Sequence, residues 1–331
     1  MHVILSGGAG YIGVPLAAAL LEAGHSVSVF DQFHFGAQVF GPWREHARLR
    51  LIQGDIRSAN ADLFRGADAV IQLAALSNDP TADLDREVTR AINLTATVRC
   101  AHLAREAGVE RYLFSSSCSV YGDSQGWVDE NSTPEPVSLY AQYKLEAEVA
   151  LHSLATESFC VTSLRSATVY GVAPRMRFDL VANIMTLHAW KRGRLFVLGG
   201  GRQWRPLVHV SDVAQAFVLA LQAPANLLNR TILNVGDNAQ NFQVRDIAEI
   251  VRCVVPNTRV EQVSEDDDNR SYRVAFDKAE QLLGFKTKHH VEDGVKEILE
   301  GLEKGELRDD ISTQTLAFYR NLFDDRRVMG K

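Results

Sequence analysis

Tyr140 and Lys144, in the string Y-A-Q-Y-K, are spaced for proton chemistry. Four residues apart on a helix, they share one face, with Cβ atoms about 5–6 Å apart. A free phenol titrates near about 10. A neighbouring ammonium favours the phenolate and is expected to bring that value toward neutrality. Such a phenol can take a proton from a substrate hydroxyl while hydride leaves, and return it on the reverse step. Tyr143 and Tyr121 lack a lysine four residues on. Upstream, the string FSSSCSVYG at 114–122 ends an expected strand, which would set a hydroxyl at the mouth of a cleft facing the Tyr–Lys helix.

The N-terminus predicts the partner for that hydride. An apolar run (Val3, Ile4, Leu5) reads as a buried parallel strand. Gly7, Gly10 and Gly13 follow at a spacing of three, then an Ala/Leu-rich helix closed by Gly24. A second apolar run, Val27 to Phe30, ends at Asp31. Strand, glycine turn, helix, strand and acid is the order a dinucleotide site needs, with the pyrophosphate at the helix N-terminus. Asp31 can accept from both ribose hydroxyls and repels a 2′-phosphate, which favours NAD over NADP.

Composition bounds the rest. The 331 residues leave room for one large or two medium domains. With 46% hydrophobic and 23% charged residues, the chain reads as an ordinary globular protein. A net charge of −6 argues against general nucleic-acid binding. No apolar run reaches membrane-span length. There is no basic n-region, so secretion is not expected. The cysteines Cys100, Cys118, Cys160 and Cys253 are scattered and fit free thiols in a reducing cytoplasm.

Apolar runs near 49–53, 68–73, 111–115 and 160–165 alternate with helical stretches near 84–107 and 138–156. This is an α/β pattern, a Rossmann-type doubly wound parallel sheet. We expect a nucleotide domain over 1–170 and a smaller mixed α/β substrate domain over 171–331, some of whose segments return to the first. There the expected helices lie near 178–191, 243–254, 277–283 and 291–303, and the strands near 195–198, 231–235 and 259–263. RPLVHV spans 205–210, and Glu265 to Asp268 reads as a solvated acidic loop. G-D-S-Q-G at 122–126 copies a nucleophile-elbow string, but the following Trp127, Asp129 and Pro134 read as loop, not helix, which sets Ser124 aside. No metal site is expected: the ten histidines include no His-Glu-x-x-His pair. His209 is read as packing.

The ordered motifs GxxGxxG, Asp31, Asp55 in GDI, LAA at 73–75, SSSxxVYG and YxxxK resemble the extended short-chain dehydrogenase/reductase family. Within it the chain is similar to the NAD-dependent nucleotide-sugar epimerases and dehydratases, over roughly residues 2 to 285. The resemblance implies a pyrophosphate turn including Tyr11 and Ile12, and adenine flanked by Asp55 and Ile56. It implies Ala74 and Ala75 beneath the cofactor, and Asn93 at a structural asparagine. It implies Ser117 as the catalytic hydroxyl, Tyr140 as the base and Lys144 on the nicotinamide ribose. Thr168 and Asp179 fall at substrate-contacting positions, and Arg205 at the diphosphate arginine. Arg270 replaces a family arginine within EDDDNRSYR. Cys118 and Ser119 stand where dehydratases carry Asp-Glu, which disfavours dehydration; either can still line the substrate pocket. The resemblance also implies a homodimer through the helices near 84–107 and 138–156. The expected activity is nucleotide-sugar epimerisation at C4 through a transient 4-keto sugar. The alternatives are a 4-keto-sugar reductase, a C3/C5 epimerase, a dehydratase and a non-catalytic NAD-binding protein.

Overall fold

The apolar runs pair as the alternation predicts. In a computed structural model, residues 1–263 and 270–324 are described; the acidic run 265–268 lies outside them. Seven strands form one parallel sheet: β1 His2–Ser6, β2 Ser26–Asp31, β3 Leu49–Gln53, β4 Ala69–Gln72, β5 Arg111–Ser117, β6 Cys160–Ser166 and β7 Thr231–Val235. Their order is β7-β6-β5-β4-β1-β2-β3. The order reverses between β1 and β4, and open α/β sheets bind ligands at the carboxyl ends beside that switch point.

Burial explains the composition of these strands. Both faces are covered, so β4 and β6 are buried along their whole length. Helix α1 (Gly13–Glu22) buries Val14, Leu16, Leu20 and Leu21. The stretch expected as one helix near 84–107 is broken. It has helical turns at Arg86–Arg90, a wide i→i+5 turn over Ala91–Ala96, and α2 at Thr97–Glu106. Two side chains account for the wide turn. Thr97 Oγ1 donates to Ile92 O (3.3 Å), and Asn93 turns outward to bond both N and O of Leu76. Helix α3 spans Leu139–Ser153 and is capped by Ser138, whose Oγ accepts from Ala141 N (3.2 Å).

Beyond β6 the chain builds a smaller layer. Trp204–His209 pairs with Thr168–Tyr170 in parallel and with Asn241–Gln243 antiparallel. Arg194–Leu198 pairs with Arg259–Val263. Two segments return to the large sheet: β7 joins β6, and α4 (Val210–Gln222), absent from the expected elements, packs on α1. Asp123–Val128 pairs with Ser271–Val274 and carries Ser124 on an edge strand, so Trp127, expected in a loop, lies in a strand. Cys100, Cys118, Cys160 and Cys253 are all free thiols. Among the described residues, no helix is long and apolar enough to cross a membrane.

Candidate active site

A single cavity opens at the carboxyl ends of β1, β2, β4, β5 and β6. Its floor is the glycine turn. Gly7 has φ +76, and a Cβ there would sit 2.4 Å from Ala74 N, so only glycine fits against the backbone after β4. A Cβ on Gly13 would meet Gly8 Cα at 2.5 Å. Gly10 is looser and lies on the cavity wall. Tyr11, Ile12 and Gly13 also line it, with the first turn of α1 behind them. Tyr11 is held by the second half of the chain: its hydroxyl donates to Gly171 O (2.6 Å) and accepts from Asn183 (3.1 Å).

Asp31 closes β2 at the rim. Its carboxylate accepts from Ala9 N (3.0 Å) and Phe33 N (2.8 Å). Burial pushes its pKa up, and those two N–H bonds pull it back. The protein therefore presents a pre-oriented acid on the cavity rim. NADP should bind more weakly than NAD, and Asp31→Ala should narrow the gap. Paired dissociation constants measure this, and equal or tighter NADP binding rules the reading out.

The cavity fits a polar ligand of this kind. Among the described residues, Ser6 Oγ, Ser116 Oγ, Ser119 Oγ and Ser166 Oγ are buried without a protein partner, and all four residues line the cavity. Buried hydroxyls left unpaired cost about 1–3 kcal/mol each. A dinucleotide or sugar offers them partners.

Ser117, Tyr140 and Lys144 meet on the opposite wall. Ser117 ends β5, and its Oγ accepts from Ser119 N (3.2 Å). Lys144 Nζ donates to Ser115 O (2.6 Å) and lies 5.7 Å from the Tyr140 ring centre. The phenol is not pulled toward neutrality, contrary to the expectation from spacing. Burial pushes its pKa up, Asp79 adds to the rise, and Arg177 and a hydrogen bond with Ser117 oppose it. Lys144 is itself lowered to about 8 by burial, with Glu148 opposing. The Lys144 ammonium is held by the Ser115 carbonyl, and burial is the largest influence on the phenol.

Several sequence-predicted residues lie elsewhere. Cys118 is not on the pocket wall: the chain turns sharply after β5 and buries the thiol, whose Sγ donates to Arg165 O (3.2 Å). Burial raises its pKa well above the ordinary thiol range. Ser119, Thr168, Ala74, Ala75 and Ile56 do line the cavity. Asp55 stands behind Ile56 and Arg57, paired with Arg57 at 2.6 Å. Asn93 is occupied by Leu76. Asp179 sits just behind the wall, bonded to Arg177 (2.5 Å), Asn78 (2.6 Å) and Thr315 (2.9 Å). Burial pushes Asp179 up, but Arg177 outweighs it and holds the acid at about 2. Arg205 is buried behind the wall, donating to Trp204 O (2.9 Å) and Arg270 O. Arg270 reaches the cavity and pairs with Asp79, which also accepts from Ser138.

Residues that the motifs did not flag also face the cavity: Arg177, Tyr272, Asp79 and Asn78. Asn78 holds φ 100, a left-handed strain of a kind that gathers at binding sites. Helix α3 adds a further residue at the same interval. Glu148 follows Tyr140 and Lys144, and it binds Arg165 of β6 through three contacts of 2.6–3.2 Å. The interval Y-x₃-K-x₃-E was the available signal.

One set of metal-type side chains clusters among the described residues: His209, Asp212 and His289. The two rings stack with centres 4.2 Å apart. His209 faces Ser211 (2.5 Å) and Glu297 (2.7 Å), and His289 faces Asp212 (3.3 Å).

Sheet order, glycine turn and Tyr–Lys helix together define an extended short-chain dehydrogenase/reductase. The chain belongs to the NAD dependent epimerase/dehydratase family, whose profile matches residues 3–236. It is therefore an NAD-dependent protein of the epimerase/dehydratase class of enzymes. It is 28% identical over 313 residues to a UDP-glucose 4-epimerase of Corynebacterium glutamicum, covering 87% of this chain and 92% of that one. A UDP-glucose 4-epimerase of Streptomyces lividans is 30% identical, covering 76% and 80% respectively. MoeE5, solved in complex with UDP-glucuronic acid and NAD, superposes with a TM-score of 0.79 at 27% identity. That match covers 92% of this chain and all of MoeE5.

Proposed function

We propose that the protein is a nucleotide-sugar 4-epimerase. The observation that carries this reading is that Tyr140, Ser117 and Lys144 share the wall of the cavity that also holds the glycine turn and Asp31. Bound NAD supplies the hydride acceptor that later becomes the donor, together with a positive ring charge that favours the phenolate. Tyr140 takes the proton of the C4 hydroxyl, and Ser117 hydrogen-bonds that oxygen and relays the proton. The 4-keto sugar then turns within the cavity, and Tyr140 returns the proton as hydride adds to the opposite face. Lys144 holds the nicotinamide ribose and Asp31 the adenosine ribose, above the pyrophosphate turn of Gly7, Gly10, Tyr11, Ile12 and Gly13.

Arg270 grips the diphosphate, and Arg205 positions it through its carbonyl; the place of Arg205 behind the wall supports this reading. Ser119 and Thr168 contact the sugar. Relatives named for UDP-glucose, and a neighbour holding UDP-glucuronic acid, support UDP as the nucleotide. Cys118 and Ser119, which follow Ser117, supply no carboxyl acid–base pair, which weighs against dehydration.

Purified protein is incubated with UDP-sugars and followed by NMR without added NADH. Interconversion of two C4 isomers is expected, with no solvent deuterium at C4. Stoichiometric NADH consumption with a 4-keto sugar nucleotide, and no isomerisation, would overturn the reading in favour of a reductase. The same preparation should sediment as a homodimer through α2 and α3, where Val149 is 66% exposed; a monomer rejects that part.

A further inference from the structure

The cavity has a wall that no motif announces. Helix α5, Thr315–Asp324, lies beyond the family-matched residues 3–236. Thr315, Tyr319, Leu322 and Phe323 line the same cavity as Asp31, His34, Phe35 and Ile56. We propose that α5 straps the adenosine end of the site, and that Tyr319 and Phe323 contact bound NAD and slow its release.

The strap is tied at its start. Arg175 donates to Thr315 Oγ1 (3.1 Å), Thr315 donates to Asp179 (2.9 Å), and Phe178 N donates to Thr313 O (2.8 Å). Its middle rests on the residues just after Asp31. Phe318 meets Phe35 with ring centres 4.6 Å apart, and Tyr319 stands edge-on to His34 at 6.3 Å. The Arg175 guanidinium lies 3.9 Å from the Phe35 ring centre on that same patch. Towards its end, Tyr319 and Phe323 pack on the core group that contains Phe30 and Ile56. Tyr319 also feels the acid at the rim: burial pushes its phenol up to about 12, and the Asp31 charge adds to the rise.

This arrangement suits an adenine. A purine offers a flat face that stacks on aromatic rings whatever its edge chemistry. A wall formed by a late helix also has to move before a threaded dinucleotide can leave. The contact would therefore act mainly on the off-rate. The inference rests on NAD as cofactor and not on the sugar chemistry.

Full-length protein is loaded with NAD, desalted, and sampled over time for retained cofactor. The variants are Tyr319→Ala/Phe323→Ala, the gentler Tyr319→Leu, and Arg320→Ala on the exposed side of α5. Circular dichroism and urea unfolding check the fold. Losing a base–aromatic contact should speed release by about 5–150-fold in the double variant. Tyr319→Leu should shift it in the same direction, with Arg320→Ala unchanged. If the double variant does not fold, Tyr319→Leu carries the decision. Folded variants that release NAD at the wild-type rate overturn the strap. A wild-type protein that retains no NAD overturns it too, and failure to find a sugar substrate leaves this measurement intact.

Discussion

Tyr140→Phe should lower epimerase turnover by roughly 10²–10⁴-fold while the protein still loads NAD. The substitution removes one oxygen and keeps the ring, so the cavity wall and the α3 packing survive. What disappears is the phenol oxygen on the wall that Ser117 shares. Lys144 cannot substitute, because its Nζ is held by Ser115 O and faces the ring at 5.7 Å. Single-turnover assays with preloaded NAD isolate the chemical step. A variant keeping more than half the wild-type rate would remove Tyr140 as the base. The wild-type rate should also fall as pH rises through about 8. Lys144 is lowered to that value, so its ammonium is present below it and lost above it. An activity still climbing at pH 9 would separate Lys144 from the reaction.

The second large effect concerns stability. Arg165→Met should cost about 3–5 kcal/mol, because Glu148 would be left as an unpaired charge at 2% exposure. Arg165 also donates to Tyr121 (3.0 Å), which donates to Asn234 of β7 (2.9 Å), so one guanidinium ties α3, β6 and β7 together. The double variant Arg165→Met/Glu148→Leu should recover much of the loss, since replacing both charges by apolar groups removes the desolvation penalty. Urea denaturation of the three variants measures the pairwise term. A single variant that loses under 1 kcal/mol would show that Glu148 finds another partner.

The cofactor half of the site was legible because its signals are local. Gly7 and Gly13 are required by backbone approach, Asp31 by its place at a strand end, and both survive in one unbroken βαβ reading. The Tyr140–Lys144 interval was equally direct. Placement across the cleft was not, since it depends on how loops turn. Whether Cys118 or Ser119 faces the cavity is decided by a single tight turn after β5. Arg205 donates to the Arg270 carbonyl, and only the backbone path shows which of the two reaches the cavity. Helix α4 escaped notice because it follows directly on the strand Trp204–His209, so its first apolar residue continues a run that reads as strand. The electrostatics of Tyr140 were misjudged because spacing reports proximity and not desolvation.

The return of β7 to the main sheet gives the order of synthesis a physical meaning. Strands β1 to β6 can align as they leave the ribosome, but β6 then presents an unpaired edge until Thr231–Val235 emerges. At 5–20 residues per second, that interval is on the order of several seconds. Through it, the nascent sheet exposes a full row of backbone donors and acceptors to any passing strand. Chaperone occupancy of the half-made chain would therefore concentrate on this edge. The buried Arg165 of β6 would also wait until then for the Asn234 end of its network.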